Sequence, residues 1–189
     1  NGSLSVAGAT TAPVAIVSGS ATRLFGSDTL SGGSYAFTDA NAGTGNRTVT
    51  VGSVTVNDGF AGGNYNVSYV DNTTSTINRA AITVSTSNVI KTYDATTSAL
   101  GTPVTISGSL FNNVSNGNTT DSLSGGTYAF VGANVSRAGG VSSGSVLSDK
   151  VVTARDVTVN DGNRGGNYVV TYADNITSTI NPYAISLTG

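Results

Sequence analysis

Hydrophobic and polar residues alternate along this chain in short runs that end in Gly, Asn and Asp. The segments "TVTVG" at 48–52 and "VTVN" at 54–57 each alternate, and the phase slips between them at Gly52 and Ser53. Alternation with period two is the mark of a strand with one buried face, and a slip in phase marks a bulge or tight bend. Downstream, "VNDGFAGGNY" reads as a hairpin-type connection, with Asp58-Gly59 and Gly62-Gly63 supplying residues that accept positive φ. The strand beyond it places Tyr65, Val67 and Tyr69 on one face. Helix candidates are limited to brief turns near 94–99 and 109–115, so the pattern predicts an all-β protein.

The pattern also repeats. The 25 residues at 54–78 return at 157–181 with 19 identities, and "DTLSGGSYAF" at 28–37 returns as "DSLSGGTYAF" at 121–130. A period of roughly one hundred residues exceeds that of a solenoid and predicts independently folded modules. The expected division is a first module at 1–79 and a second at 80–182, joined by the short segment Asn78–Ala81. Along the repeated strand the substitutions fall at Asn66/Val169, Ser68/Thr171 and Val70/Ala173, which alternate with the identical Tyr-Val-Tyr positions. The unchanged face is therefore the expected core side. The second module opens with a strand at 81–85, "AITV", then an Asp-centred turn at Tyr93–Thr97 and a strand at 103–107. "AITV" recurs as "AISL" at 184–187, so 183–189 reads as the start of a following module or as an exchanged strand. The first module lacks a clear copy of this opening strand, which is expected upstream of Asn1 or in diverged form.

Differences between the copies locate candidate contact residues. Phe60/Asn163 and Ala61/Arg164 lie at the tip of the repeated connection. The stretch between "YAF" and "VTV" runs 38–53 in the first module and 131–156 in the second, where the added residues carry Arg137. Loops on a retained frame are where binding modules diversify. Phe60, Asn163, Arg164 and Arg137 are the expected ligand-contacting positions if a ligand is bound.

Composition narrows the chemistry. The chain has 189 residues, 10% charged, with formal net charge −2 and no His, Cys, Met or Trp. Glu and Gln are also absent, so the good helix formers are scarce. Thr, Val, Ile and Tyr, which suit a pleated surface, abound. Isolated Arg and Lys make no footprint for nucleic acid or an anionic membrane, and no apolar run is long enough for membrane insertion. Without His, Cys or Glu the usual triads, thiol nucleophiles and Glu acid/base pairs cannot be built, so no enzyme is expected.

Asp58, Asp71, Asp161 and Asp174, with neighbouring Asn, offer oxygen ligands of the kind Ca²⁺ takes. Their spacing fits neither the EF-hand loop nor the Gly-Gly-x-Gly-x-Asp repeat, and Asp-Gly tips have a full explanation as turns. No other cofactor is implied. An intramolecular Lys–Asn isopeptide bond would need a buried acid beside the pair, and Lys91 near Asp94 is the only local candidate. Eight Asn-X-Ser/Thr sequons are present, close to what so much Asn, Ser and Thr produces by chance. The Gly-Gly pairs are followed by no Lys in phosphate-loop order.

Three stretches resemble a known family: "KTYDATTSA" at 91–99, "DANAGTGNRTVTVGSVTV" at 39–56, and the shared "GGNY…STIN" ending. They are similar to YDG-type repeats, related to MBG-type repeats, of bacterial filamentous-haemagglutinin-like adhesins. The likeness covers most of 81–181 and, less fully, 13–79. Ala95 stands where the family usually has Gly, so the turn is expected to manage without a free positive φ. The resemblance implies a secreted or surface-anchored exoprotein without catalysis, exported as a repeat array. The expected object is an elongated pair of small β modules, sandwich-like or β-grasp-like, acting as stalk or spacer in adhesion or biofilm. The alternatives are a carbohydrate-binding module and a fibre subunit that exchanges strands. Its expected partners are neighbouring copies of the repeat, glycans or host-surface molecules.

Overall fold

A computed structural model describes residues 24–111 and 120–189. Chain contacts divide the protein into two compact units, Asn1–Asn78 and Arg79–Gly189. The described residues form strands, turns and one 3-10 turn at Ala138–Gly140, with no α-helix. The protein is all-β. Residues 94–99 make no helical turn, since Ser98 bridges Ala129 in a strand-like contact. The first module's counterpart of 91–108 lies outside the described residues, as does most of 109–115.

Among the described residues, the first unit holds one antiparallel sheet in the order β1-β2-β3, with β1 Thr29–Phe37, β2 Gly43–Asn57 and β3 Asn72–Ile77. In the second unit, β4 Ala80–Thr86 is flanked by β6 Pro103–Ser107, antiparallel, and β9 Tyr168–Tyr172, parallel. A second sheet runs β5-β10-β8-β7, built from Ile90–Thr92, Asn175–Asn181, Lys150–Asn160 and Ser122–Phe130. Ile82 and Val84 of one sheet meet Val157 and Val159 of the other, with Tyr168 completing the cluster. Beside it, Val89, Phe130, Val152 and Ile180 form a second buried cluster. The first of these clusters joins apolar residues of the two sheets.

The phase slip has a specific cause. In β8, Val152 and Ala154 are buried, then Val157 and Val159, so the inward set changes parity at Arg155-Asp156. Asp156 has φ 54°, and Gly125 and Gly126 opposite it on β7 have φ 66° and 104°. Pairing continues in one register on both sides, from Ser122↔Asn160 to Phe130↔Val152. Both strands bend together, so the slip is a matched bend with no extra residue, and not a bulge. The first unit repeats it with Ser53 at φ 55° opposite Gly32 and Gly33.

Two sequence expectations are corrected. The connection after β8 is not a hairpin: β9 leaves the sheet of β8 and pairs with β4 in the other sheet. The loop assigned to 131–156 ends at Asp149, because 150–156 belongs to β8. Its copy in the first unit spans only residues 38–42.

Candidate functional site

The repeated turn after β2 and β8 is built around one carboxylate. Asp161 Oδ1 accepts from the backbone N–H of Asn163 and Gly165 at 2.8 and 2.7 Å, and Oδ2 from Asn167 at 3.0 Å. Asp58 repeats this with Phe60, Gly62 and Asn64 at 2.8, 2.8 and 3.1 Å. Burial alone would raise Asp161, and its three backbone donors outweigh that to hold it below the ordinary carboxylate value of 3.8. Asp58 is lowered by the same opposition. Both oxygens of each Asp are thus spent on the turn, as a turn reading of these residues requires. Asp71 and Asp174 are exposed. Among the described residues no three acidic, His or Cys side chains gather as a metal site.

A second repeated device was not anticipated from the sequence. Tyr168 Oη accepts from Phe111 N–H at 2.8 Å and donates to Asp121 Oδ2 at 2.6 Å, with the Phe111 ring stacked 6.3 Å away. Tyr65 does the same with Phe25 N–H at 3.0 Å and Asp28 Oδ2 at 2.7 Å. Burial, then the bond to Asp121, pushes the Tyr168 phenol up to about 12. Tyr172 Oη accepts from Val157 N–H at 2.9 Å, and Tyr69 Oη from Val54 N–H at 3.1 Å. The available signal was an Asp heading each copy of the repeated decapeptide and a Leu-Phe pair upstream of each. Nothing in the spacing linked them, because Asp28 follows Phe25 at an offset of 3 and Asp121 follows Phe111 at an offset of 10.

The "YDAT" turn is held by charge. Lys91 Nζ lies 2.6 Å from Asp94 Oδ1, donates to Thr96 and Ser98 carbonyls at 3.0 and 3.1 Å, and rests 5.8 Å above the Phe130 ring. The Lys91 bond and then the Thr96 N–H bring Asp94 down to about 2. No Asn side chain is among these Lys91 contacts, which describe an ion-paired brace for the turn. Ala95 adopts φ 64°, so the turn does use a positive φ and a non-glycine residue supplies it.

Beside this turn, Tyr93, Asp94, Val135, Pro182, Tyr183 and Ile185 line an open, mainly apolar groove of about 570 Å³. Of the ligand candidates, Phe60 and Arg164 project from their turn tips into solvent. Asn163 is half-buried and bonds Asn167 Oδ1 at 3.0 Å. Arg137 is committed to Gly144 O at 2.7 Å and ties its own loop together. Within the second unit, Asn163 and Arg164 share one turn, while Arg137 lies in the loop 131–149.

Comparison with known proteins adds no relative: no family model matches the chain, and no curated protein or solved structure is similar to it. Among the described residues no helix is long and apolar enough to cross a membrane.

Proposed function

We propose that the chain is a structural repeat region, a stalk or spacer, of a bacterial secreted or cell-surface adhesin. The observation that carries this reading is the kind of feature the two copies share. The Asp-capped turn, the Tyr-Asp-Phe bonds, the matched bend and the Asn160 and Asn57 side-chain bonds to facing serines all hold strands in place. None assembles a nucleophile, base or ligand cluster. Shared residues that only maintain a frame favour reach over chemistry, and the YDG-type resemblance points the same way. On this reading the units are tandem copies of one non-catalytic module outside the cell. We read each full module as sandwich-like, a reading supported by the two sheets that pack together in the second unit and by the lack of any α-helix among the described residues. The test is replacement: in the parent surface protein, an unrelated rigid β-repeat of equal length substituted for residues 24–189 restores cell attachment. Failure of every such spacer would overturn the stalk role.

A second reading, carbohydrate binding, draws on the groove beside Tyr93 and Tyr183. Two exposed phenol rings and the Asp94 carboxylate are groups that stack on and bond to sugars. A glycan array with bound signal lost in Tyr93→Ala would favour it.

A further inference from the structure

In the second unit β4 and β5 run alongside β9 and β10, and in the same direction. β4 pairs parallel with β9 from Ala80↔Tyr168 to Val84↔Tyr172, and β5 pairs parallel with β10 from Ile90↔Thr179 to Thr92↔Asn181. β4 leads into β5 through 87–89 and β9 into β10 through 173–174, so both segments pass from one sheet to the other together. The result is one parallel seam, residues 80–92 against 168–181.

Backbone bonds hold this seam along its length. Ala80 N–H donates to Asn167 O at 2.8 Å, Ala173 N–H to Val84 O at 2.9 Å, Thr179 N–H to Val89 O at 2.9 Å and Tyr93 N–H to Asn181 O at 2.8 Å. Side chains add to them, most densely where the strands change sheets. Asn175 Nδ2 donates to Thr86 O at 3.1 Å and to Asn88 Oδ1 at 2.9 Å, and Thr177 Oγ1 donates to Asn88 Oδ1 at 2.6 Å. Val89 N–H donates to Ser178 Oγ at 3.0 Å, and the Thr83 and Thr171 hydroxyls meet at 3.0 Å. Ile82, Val84, Thr86, Val89, Ser178 and Ile180 are buried along the seam. The low local dielectric there strengthens the bonds beside them.

A parallel seam responds to tension in a particular way. Arg79 lies at its Ala80–Tyr168 end and Pro182 at its Thr92–Asn181 end, because parallel strands begin at the same end. A pull that separates Arg79 from Pro182 slides one strand past the other and loads the cross-strand bonds together. A pull on both strands from one end opens the bonds one after another. Breaking several bonds in one step is the higher barrier, and forced unfolding is governed by the rate of crossing it.

We infer that the second unit is a load-bearing clamp, in which the seam of 80–92 against 168–181 holds tension passed between Arg79 and Pro182. Asn88, Asn175 and Thr177 carry the load where the strands change sheets. The use of such a clamp rests on the stalk reading, whereas the clamp itself rests on the seam, whose residues all lie inside the unit.

The test uses the full chain, which has no cysteine of its own, with thiol handles introduced in pairs for single-molecule stretching. Arg79→Cys with Pro182→Cys pulls the seam in shear, and Arg79→Cys with Arg164→Cys pulls both strands from the Tyr168 end and peels them apart. All three positions are exposed. The unfolding force in shear should be several times the force in peeling. Asn88→Ala, also at an exposed position, should lower the shear force while leaving the peeling force and the urea midpoint nearly unchanged. Equal forces in the two geometries would overturn the inference, as would an Asn88→Ala loss of the same proportion in both. Spacer replacement tests the stalk role apart from this: a region that any spacer can replace, yet that unfolds at equal forces in both geometries, is a stalk without a clamp.

Discussion

Residues 168–172 and 65–69 share their tyrosines, their central valine, the turn that precedes them and the hydroxyl bonds that anchor them. One is a strand with Tyr168 4% exposed, and the other is irregular with Val67 and Tyr69 half in solvent. The few substitutions between them, Asn66/Val169 and Ser68/Thr171, point away from the core and favour strand in the second copy, on a scale that spans about 1 kcal/mol. What differs is the neighbour. β4 lies against the first segment, and no described strand lies against the second. Strand formation here is a property of the pair and not of the five residues, because a lone extended segment satisfies neither its backbone groups nor its apolar face.

The largest test of that difference removes the neighbour's anchor. Ile82→Ala should cost the second unit about 2–5 kcal/mol, the usual range for emptying a buried aliphatic site. Ile185→Ala, the same change in the exposed copy, should leave the dilute protein's unfolding curve unchanged. Urea titration followed by circular dichroism distinguishes them. Equal effects from both changes would show that Ile185 is already buried and would break the comparison.

Next in size is the tyrosine anchor. Tyr168→Phe removes the donor to the buried Asp121 and should destabilise the second unit by about 1–3 kcal/mol, with a smaller loss for Tyr65→Phe beside the more exposed Asp28. The pH dependence has a defined sign. Tyr168 is raised from 10.0 to about 12 in the folded state, so folding favours its protonated form. That contribution is complete below pH 10 and is lost as pH rises toward about 12. The second unit should therefore weaken across this alkaline window, and Tyr168→Phe should flatten the slope. Asp94 works in the opposite direction: lowered to about 2, it adds stability above its ordinary 3.8 that fades as pH falls toward about 2.

Much of this architecture was legible because the chain repeats. Alternation at 48–57 located a strand, and the copy-to-copy substitutions along 168–172 identified the buried face correctly for the second unit. The same inference failed for 65–69, since sequence reports which face would be buried but not whether a partner arrives to bury it. The connection after β8 looked like a hairpin because Asp-Gly and Gly-Gly permit tight turns; they equally permit a passage between sheets, and pairing with β4 decides which occurs. Asp121 and Phe111 were illegible for another reason. They reach Tyr168 across 47 and 57 residues of chain, a distance over which local pattern carries no information.

The smallest test concerns the turns that both units share. Ala61 and Arg164 sit at φ 52° and 55° in equivalent turns, and Ala95 at φ 64° in a turn found only among the described residues of the second unit. A side chain in the left-handed region crowds its own backbone by about 1–2 kcal/mol, which glycine avoids while adding flexibility to the unfolded chain. The net expectation for Ala95→Gly is a gain of at most about 1 kcal/mol. Ala61→Gly and Arg164→Gly should give similar gains, because each turn is clamped by three bonds to its own Asp. If so, the turn carries the same strain whether or not the strand after it is paired, and the units differ only beyond Tyr65 and Tyr168. A gain confined to Arg164→Gly would mean that the unpaired segment loosens its turn as well, extending the difference between the copies back to Asp58.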